Sequence, residues 1–122
     1  MGVHSWLEIR RSRFKIRYRK IPNLSYVALS EAKIIGTVLC GEDGRRGYLQ
    51  HLCVVDKFRN RGAGSQLLEA AVEQFKSLGL YEIRIFVFKN NQTGNQYWED
   101  KGWIVRDDIH VRSLNLQSIG LV

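Results

Sequence analysis

Residues 48–88 read as an apolar strand, a glycine-bearing turn, an amphipathic helix and a second apolar strand, and this sequence of elements most constrains the fold. A strand–helix–strand crossover needs a sheet for both strands to join and a face for the helix to cover. The first strand is expected over residues 48–55. The helix should begin near Gly62–Ser65, with Leu68, Ala71, Val72, Phe75 and Leu78 forming one apolar stripe and Gly79 stopping it at C′. Residues 81–88 follow, alternating at first and apolar on both faces from Ile85 to Phe88, the pattern of a central strand.

Upstream, residues 34–40 are rich in β-branched residues, and Gly41-Glu42-Asp43-Gly44-Arg45-Arg46-Gly47 is dense in turn formers. Asp-Gly is a strong hairpin signal, so residues 34–40 and 48–55 should pair as a hairpin centred near Asp43-Gly44. That centre puts Cys40 opposite Gly47 or Tyr48 and Cys53 opposite Ile34, too far apart for a disulfide. Both cysteines sit in apolar runs and are expected to be small buried hydrophobes; their spacing offers no metal site. Residues 26–29 form another short apolar run, and 90–101 a polar helix closed by Gly102. Residues 103–105 and 109–116 are expected as closing strands. The architecture implied is a mixed α/β sheet in a single domain of residues 1–122.

Residues 6–21 support two readings. Leu7, Phe14, Tyr18 and Ile21 fall at helical spacing, whereas residues 14–19 alternate like a strand. Pro22 should end any helix there. This front segment also explains the net charge of +7: residues 1–20 hold seven Lys/Arg against one Glu, leaving only +1 for the remainder. Residues 1–22 are therefore read as a basic N-terminal arm or helix, and 23–122 as the core. No apolar run reaches the roughly 20 residues of a membrane span, and the N-terminal residues lack the core of a secretory signal. The expectation is a cytoplasmic protein with no membrane partner.

The chemistry sits in Val54-Val55-Asp56-Lys57-Phe58-Arg59-Asn60-Arg61-Gly62-Ala63-Gly64-Ser65. Two glycines allow close backbone approach, successive N–H groups can line one concavity, and the following helix presents its positive end. Such a turn suits an anion, with Arg59 and Arg61 adding charge. A Walker loop would need Lys-Ser/Thr where Ser65-Gln66 stands. A dinucleotide fingerprint would need a glycine at Leu67 and an acidic ribose ligand, a role that Glu82 and Arg84 fit poorly.

Arg59-x-x-Gly62-x-Gly64 resembles the Arg/Gln-x-x-Gly-x-Gly/Ala signature of the GNAT acetyltransferases, and the following blocks agree in spacing. The family's Asn-x-x-Ala-x-x-aromatic-Tyr, then Gly-aromatic, reads here Asn91-Gln92-Thr93-Gly94-Asn95-Gln96-Tyr97-Trp98, then Gly102-Trp103. Residues 36–54 also resemble a bacterial and archaeal subgroup of unassigned substrate. The resemblance implies an acyl-CoA N-acyltransferase fold and transfer of acetyl from acetyl-CoA, as co-substrate, to a primary amine on a small molecule or peptide.

It also implies residue roles. The turn Arg59, Asn60, Arg61, Gly62, Ala63, Gly64, Ser65 would bind pyrophosphate. Backbone groups of Leu52, Cys53 and Val54 would pair with the pantetheine arm between the family's fourth and fifth strands, and Asn91 would hydrogen-bond it. A backbone N–H near Val54 would stabilise the thioester oxyanion.

Trp98 stands where the family usually places its tyrosine acid, and indole cannot deliver a proton. Tyr97, about 100° away around the helix, is either a packing residue or the acid. The base or base-water positions correspond to Tyr48 and Gln50, while His51 should face the opposite way if alternation holds. The family's first strand and helix have about 24 residues available here, so the front is expected to be shortened, atypical or completed by a homodimer. Two other classes stay in view: a CoA-binding module without turnover, and nucleic-acid binding through the basic arm, with Phe14 and Tyr18 stacking on bases.

Overall fold

The computed structural model describes residues 6–9, 16–22 and 24–117. The chain divides into two compact units, Met1–Phe86 and Val87–Val122.

The first unit is a six-stranded sheet whose strands lie side by side in chain order: β1 (Trp6–Ile9), β2 (Ile16–Ile21), β3 (Ser25–Ser30), β4 (Lys33–Glu42), β5 (Arg46–Val54) and β6 (Glu82–Ile85). Neighbours are antiparallel from β1 to β5, and β5 and β6 are parallel. A parallel pair requires a crossover, supplied by α1 (Ala63–Ser77). The mixed α/β sheet expected from sequence is present.

The ambiguous front segment resolves as strand. Ile16 and Tyr18 are buried while Arg17 between them is exposed, a period-two pattern that only an extended chain produces. Tyr18 is 1% exposed, so it cannot stack on a nucleic-acid base, and Phe14 lies outside the described residues. The arm or helix expected over 1–22 therefore gives way, where described, to two antiparallel strands that belong to the sheet.

The core lies on one face of that sheet, where α1 crosses β3, β4 and β5. From the helix, Ala63, Leu67, Leu68, Ala71 and Phe75 are buried. The expected stripe included Leu78 and omitted Leu67; Leu78 is the C-cap residue and is exposed, because the helix ends beyond the sheet-facing turn. Gly47 sets how close the helix can come: a Cβ there would sit 2.7 Å from Phe75 ring atoms, so the ring occupies the space a side chain would need. At the far end, Gly79 (φ 77°) lets its N–H reach the Lys76 carbonyl at 3.0 Å and that of Leu80 reach Phe75 at 3.2 Å, completing a Schellman stop.

The hairpin register departs from the expected one. Asp43 Oδ1 accepts from the Arg45 and Arg46 N–H groups at 2.9 and 2.8 Å and organises the turn. Glu42 pairs with Gly47, Gly41 with Tyr48 and Cys40 with Leu49, but Leu39 pairs with His51. The turn closes one residue later than expected, which by itself would set Cys53 opposite Gly36, and Gln50, the extra residue of a β-bulge, moves Cys53 on to Thr37 rather than the expected Ile34. Both cysteines are free; Cys40 is buried as expected, whereas Cys53 is exposed on the far face.

β6 is shorter than expected and ends the sheet. Phe86 and Phe88 are 71% and 85% exposed, so the doubly apolar half of residues 81–88 is not a central strand. In the second unit, α2 (Gln92–Asp100) is the regular element among the described residues. Its end repeats the Schellman pattern: Gly102 N–H bonds the Glu99 carbonyl at 3.0 Å and Trp103 N–H that of Trp98 at 3.0 Å. The Trp98 and Trp103 rings, 4.8 Å apart, make the apolar contact that accompanies this stop. Residues 103–105 and 109–116 are not strands. A strand needs a ladder partner, none is paired with them, and Ile104, Val105, Val111, Leu114 and Leu116 are exposed.

Candidate functional site

The two halves of β5 have different neighbours. Arg46 to Leu49 pair with β4 on one side and with Glu82 to Ile85 of β6 on the other. After Leu49 the bulge intervenes and β6 has ended, so residues 50–54 keep β4 but have no ladder partner on the β6 side. Half of the backbone N–H and C=O groups along such a stretch point to the unpaired side and need partners from elsewhere. Leu52, Cys53 and Val54, expected to pair with a pantetheine arm, lie on this open edge.

Cross-strand partners share a face, so Tyr48, His51 and Cys53 lie with Gly41, Leu39 and Thr37 on the face away from α1. His51 was expected on the opposite face from Tyr48; the bulge cancels simple alternation and brings the two to the same side. Gln50 also lies close to this face, since a Cβ on Gly41 would be 3.3 Å from its side-chain amide. Gln50, His51 and Cys53 are exposed.

Tyr48 is not placed to act as a base. Its hydroxyl donates to Asp43 Oδ2 at 3.0 Å, and that bonded carboxylate raises the phenol above its ordinary pKa. Asp43 itself is held at about 2, chiefly by the N–H groups of Arg46 and Arg45. Asp43 was legible as a turn former, but its grip on a side chain five residues ahead was not.

Val54 leads directly into the turn. Val55 N–H is committed to the Ile35 carbonyl at 2.9 Å, so it is unavailable to an oxyanion. A 3₁₀ turn over Asp56–Phe58 buries Phe58, and the chain then passes through two left-handed residues, Asn60 (φ 61°) and Gly62 (φ 86°), on either side of Arg61. Asparagine tolerates this region better than other side-chain residues, a signal the glycine spacing alone does not give. Gly62 is the N-cap of α1 without a side-chain cap, and the first helical turn carries no acidic residue. The N–H groups of Ala63 and Gly64 have no intrahelical acceptor, and Ser65 completes the turn. An anion suits this end.

The arginines do more than add charge. Arg59 Nε donates to the Val54 carbonyl at 3.1 Å while its Nη1 meets Asp56 Oδ1 at 3.0 Å. It thus ties the end of β5 to the following turn. Arg61 Nε reaches the Lys57 carbonyl at 3.5 Å.

In the second unit, Asn91 caps α2: its Oδ1 accepts from Gly94 N–H at 2.9 Å. A Cβ on residue 94 would fall 2.5 Å from Asn91 Nδ2, which accounts for glycine where the resembling motif has alanine. Tyr97 stands edge-on to Trp98, and its buried hydroxyl has no hydrogen-bond partner among the described residues. Trp98 belongs to the helix stop.

The family model described as "Acetyltransferase (GNAT) family" matches residues 3–103. A curated relative, N-alpha-acetyltransferase 30 of Schizosaccharomyces pombe, is 29% identical over 99 residues, covering 75% of this chain and 66% of that protein. Among solved structures, Arabidopsis thaliana Naa50, crystallised with the bisubstrate analogue CoA-Ac-MVNAL, aligns with TM-score 0.63 and 22% identity, over 70% of this chain and 60% of its own. The aminoglycoside N-acetyltransferase AAC(6')-Iy, solved with CoA, aligns with TM-score 0.65 and 15% identity, over 85% of this chain and 69% of its own. Both structures show the same fold. The chain spans 66% of the length of the Schizosaccharomyces pombe relative and 36% and 25% of two Arabidopsis thaliana relatives. No helix among the described residues is long and apolar enough to cross a membrane.

Proposed function

The chain belongs to the acetyltransferase (GNAT) family, and from that premise we propose that it moves an acetyl group from acetyl-CoA to a primary amine. The observation that carries this reading is the open edge of β5 at residues 50–54, running straight into an anion-suited helix start. A pantetheine arm has amides spaced to pair with a strand edge, and the attached pyrophosphate would then meet the N–H groups from Asn60 to Ser65. Residues 1–122 work as one domain in this proposal.

In the reaction, the amine nitrogen attacks the thioester carbonyl, the C–S bond breaks, and the amine loses a proton while the thiolate gains one. An amine near pKa 10 must lose its ammonium proton before attack. With Tyr48 committed to Asp43, that proton leaves to water on the open face, where Gln50 and the Tyr48 oxygen are available hydrogen-bond partners. By the resemblance, Tyr97 is our choice for the acid that protonates the thiolate and Asn91 for a hydrogen bond to the arm; within the second unit, Asn91 Oδ1 caps α2.

A peptide N-terminus is the favoured acceptor, on the strength of the relative named for that chemistry; a small amine such as an aminoglycoside is the second class. The site would operate in the cytoplasm, and a homodimer is compatible with it. The test is release of free thiol from acetyl-CoA against a panel of short peptides, polyamines and aminoglycosides. Turnover with one class is expected; binding of acetyl-CoA with no turnover on any would favour a coenzyme-binding module instead.

A further inference from the structure

Where β5 loses its neighbour, a side chain takes over part of the work of a strand. Val55 N–H donates to the Ile35 carbonyl, which makes Val54 and Gly36 a non-hydrogen-bonded pair of the antiparallel ladder. Cys53 and Thr37, the next pair, then exchange both backbone bonds, so the N–H and C=O of Cys53 face β4. Leu52 and Val54 point theirs to the side on which β6 has ended. Of the three residues expected to pair with a pantetheine arm, two turn their backbone toward it and Cys53 does not.

One of these outward groups is already engaged. Arg59 Nε donates to the Val54 carbonyl at 3.1 Å. The Val54–Val55 peptide is therefore held at both ends, through its N–H by Ile35 at 2.9 Å and through its carbonyl by Arg59. Arg59 is in turn fixed to Asp56 twice, its backbone N–H on the Asp56 carbonyl at 3.1 Å and its Nη1 on Oδ1 at 3.0 Å. Between them, buried Phe58 returns its own N–H to the Val55 carbonyl at 2.9 Å. A guanidinium presents its donors in a rigid planar fork, so two bonds fix its direction as well as its place. What the edge leaves for a ligand is Leu52 N–H, Leu52 C=O and Val54 N–H, an acceptor between two donors.

We propose that Arg59 is a positioning residue: it stands in for a ladder partner at the Val54 carbonyl, keeps Val54 N–H aimed at the thioester oxygen, and does not itself bind pyrophosphate. This role rests on the acetyl transfer of the proposed function. A strand end paired on one side only is prone to open. An N–H that stabilises an oxyanion works by being in place before the charge develops, so a clasp that holds the strand end serves the reaction directly. Pyrophosphate is left to the N–H groups at the start of α1.

The test compares Arg59→Ala with the unaltered chain on two acetyl donors: acetyl-CoA, and S-acetylpantetheine, which has the same thioester and arm but no pyrophosphate. The variant should lose about tenfold or more in kcat, by the same factor with both donors, while KM for acetyl-CoA moves less than about threefold. Arg59→Lys keeps the charge without the fork and should recover little of the loss. A factor that falls to about one with S-acetylpantetheine, or a loss confined to KM for acetyl-CoA and recovered by Arg59→Lys, would overturn the proposal in favour of a pyrophosphate contact. A second measurement needs no turnover. In the coenzyme-free chain, Arg59→Ala should speed amide exchange at Val55 about tenfold and leave residues 46–49 unchanged. The melting temperature should barely move, since an exposed ion pair contributes little stability. Unchanged exchange at Val55 would show that the guanidinium does not hold the strand end, and would also overturn the proposal. If neither donor supported turnover while Val55 still responded, the enzymatic reading would fail and the hold of Arg59 on β5 would stand.

Discussion

The first and second halves of β5 belong to one strand yet are built for different ends. Residues 46–49 are held between β4 and β6, and Gly47 lies beneath the Phe75 ring, so the strand there has a ladder partner on both sides. Residues 50–54 keep one neighbour, carry the bulge, and end where Arg59 bonds the Val54 carbonyl. The sheet opens its edge locally: one extra residue and one short neighbouring strand suffice.

The largest effect should come from setting glycine against glycine. Gly47→Val must displace Phe75 and should cost roughly 3 kcal/mol of stability, as overpacking of a core does. Gly64→Val lies in the first turn of α1, at the anion-suited helix start, and should leave the melting temperature nearly unchanged while weakening acetyl-CoA binding about tenfold or more. Thermal unfolding and calorimetry on both variants would break the comparison if the two losses were interchanged.

Deleting Gln50 attacks the boundary itself. Removing the bulge makes the strand regular, and a one-residue change of register moves side chains to the other face. A moderate loss of stability is expected together with loss of acetyl-CoA stabilisation in a thermal-shift titration. Retention of full coenzyme affinity would mean that the bulge does not create the edge.

A smaller effect is expected from pH at the hairpin. Asp43 has its pKa lowered from 3.8 to about 2. A depressed acid contributes to stability above its unfolded value and loses that contribution as pH falls through the folded one. The Tyr48 and Arg46 resonances should therefore hold steady from neutral pH to about 4 and move only toward pH 2, whereas a transition centred near 4 would show that the carboxylate is not held.

How much of this was legible follows from which forces act locally. The β5–α1–β6 crossover, the start of α1 and its stop at Gly79 were readable because periodicity, glycine placement and helix ends are encoded within a few residues. The bulge was not, because nothing in Leu49-Gln50-His51 marks an extra residue; it arises from pairing with β4 and carried the error in the face of His51, while the Cys53 register was missed chiefly because the turn closes one residue later than Asp43-Gly44 suggests. Residues 86–88 and 103–116 misled for a related reason: β-branched and aromatic composition states a capacity to pair, and a strand exists only where a partner edge is present. Tyr18 was ambiguous between periods until the burial of Ile16 and Tyr18 about exposed Arg17 decided for strand. The anion-suited turn was legible in its glycines, while Asn60's left-handed backbone and Arg59's bond to Val54 emerged only with the geometry.

In the proposed function, acetyl-CoA completes the unpaired half of β5. Amide hydrogen exchange along β5, measured with and without acetyl-CoA, tests it most directly. Added protection should appear among residues 50–54 and from Asn60 to Ser65, with little change at residues 46–49, which are already paired on both sides. Protection spread evenly along the strand, or absent from residues 50–54 while the coenzyme is bound, would contradict it.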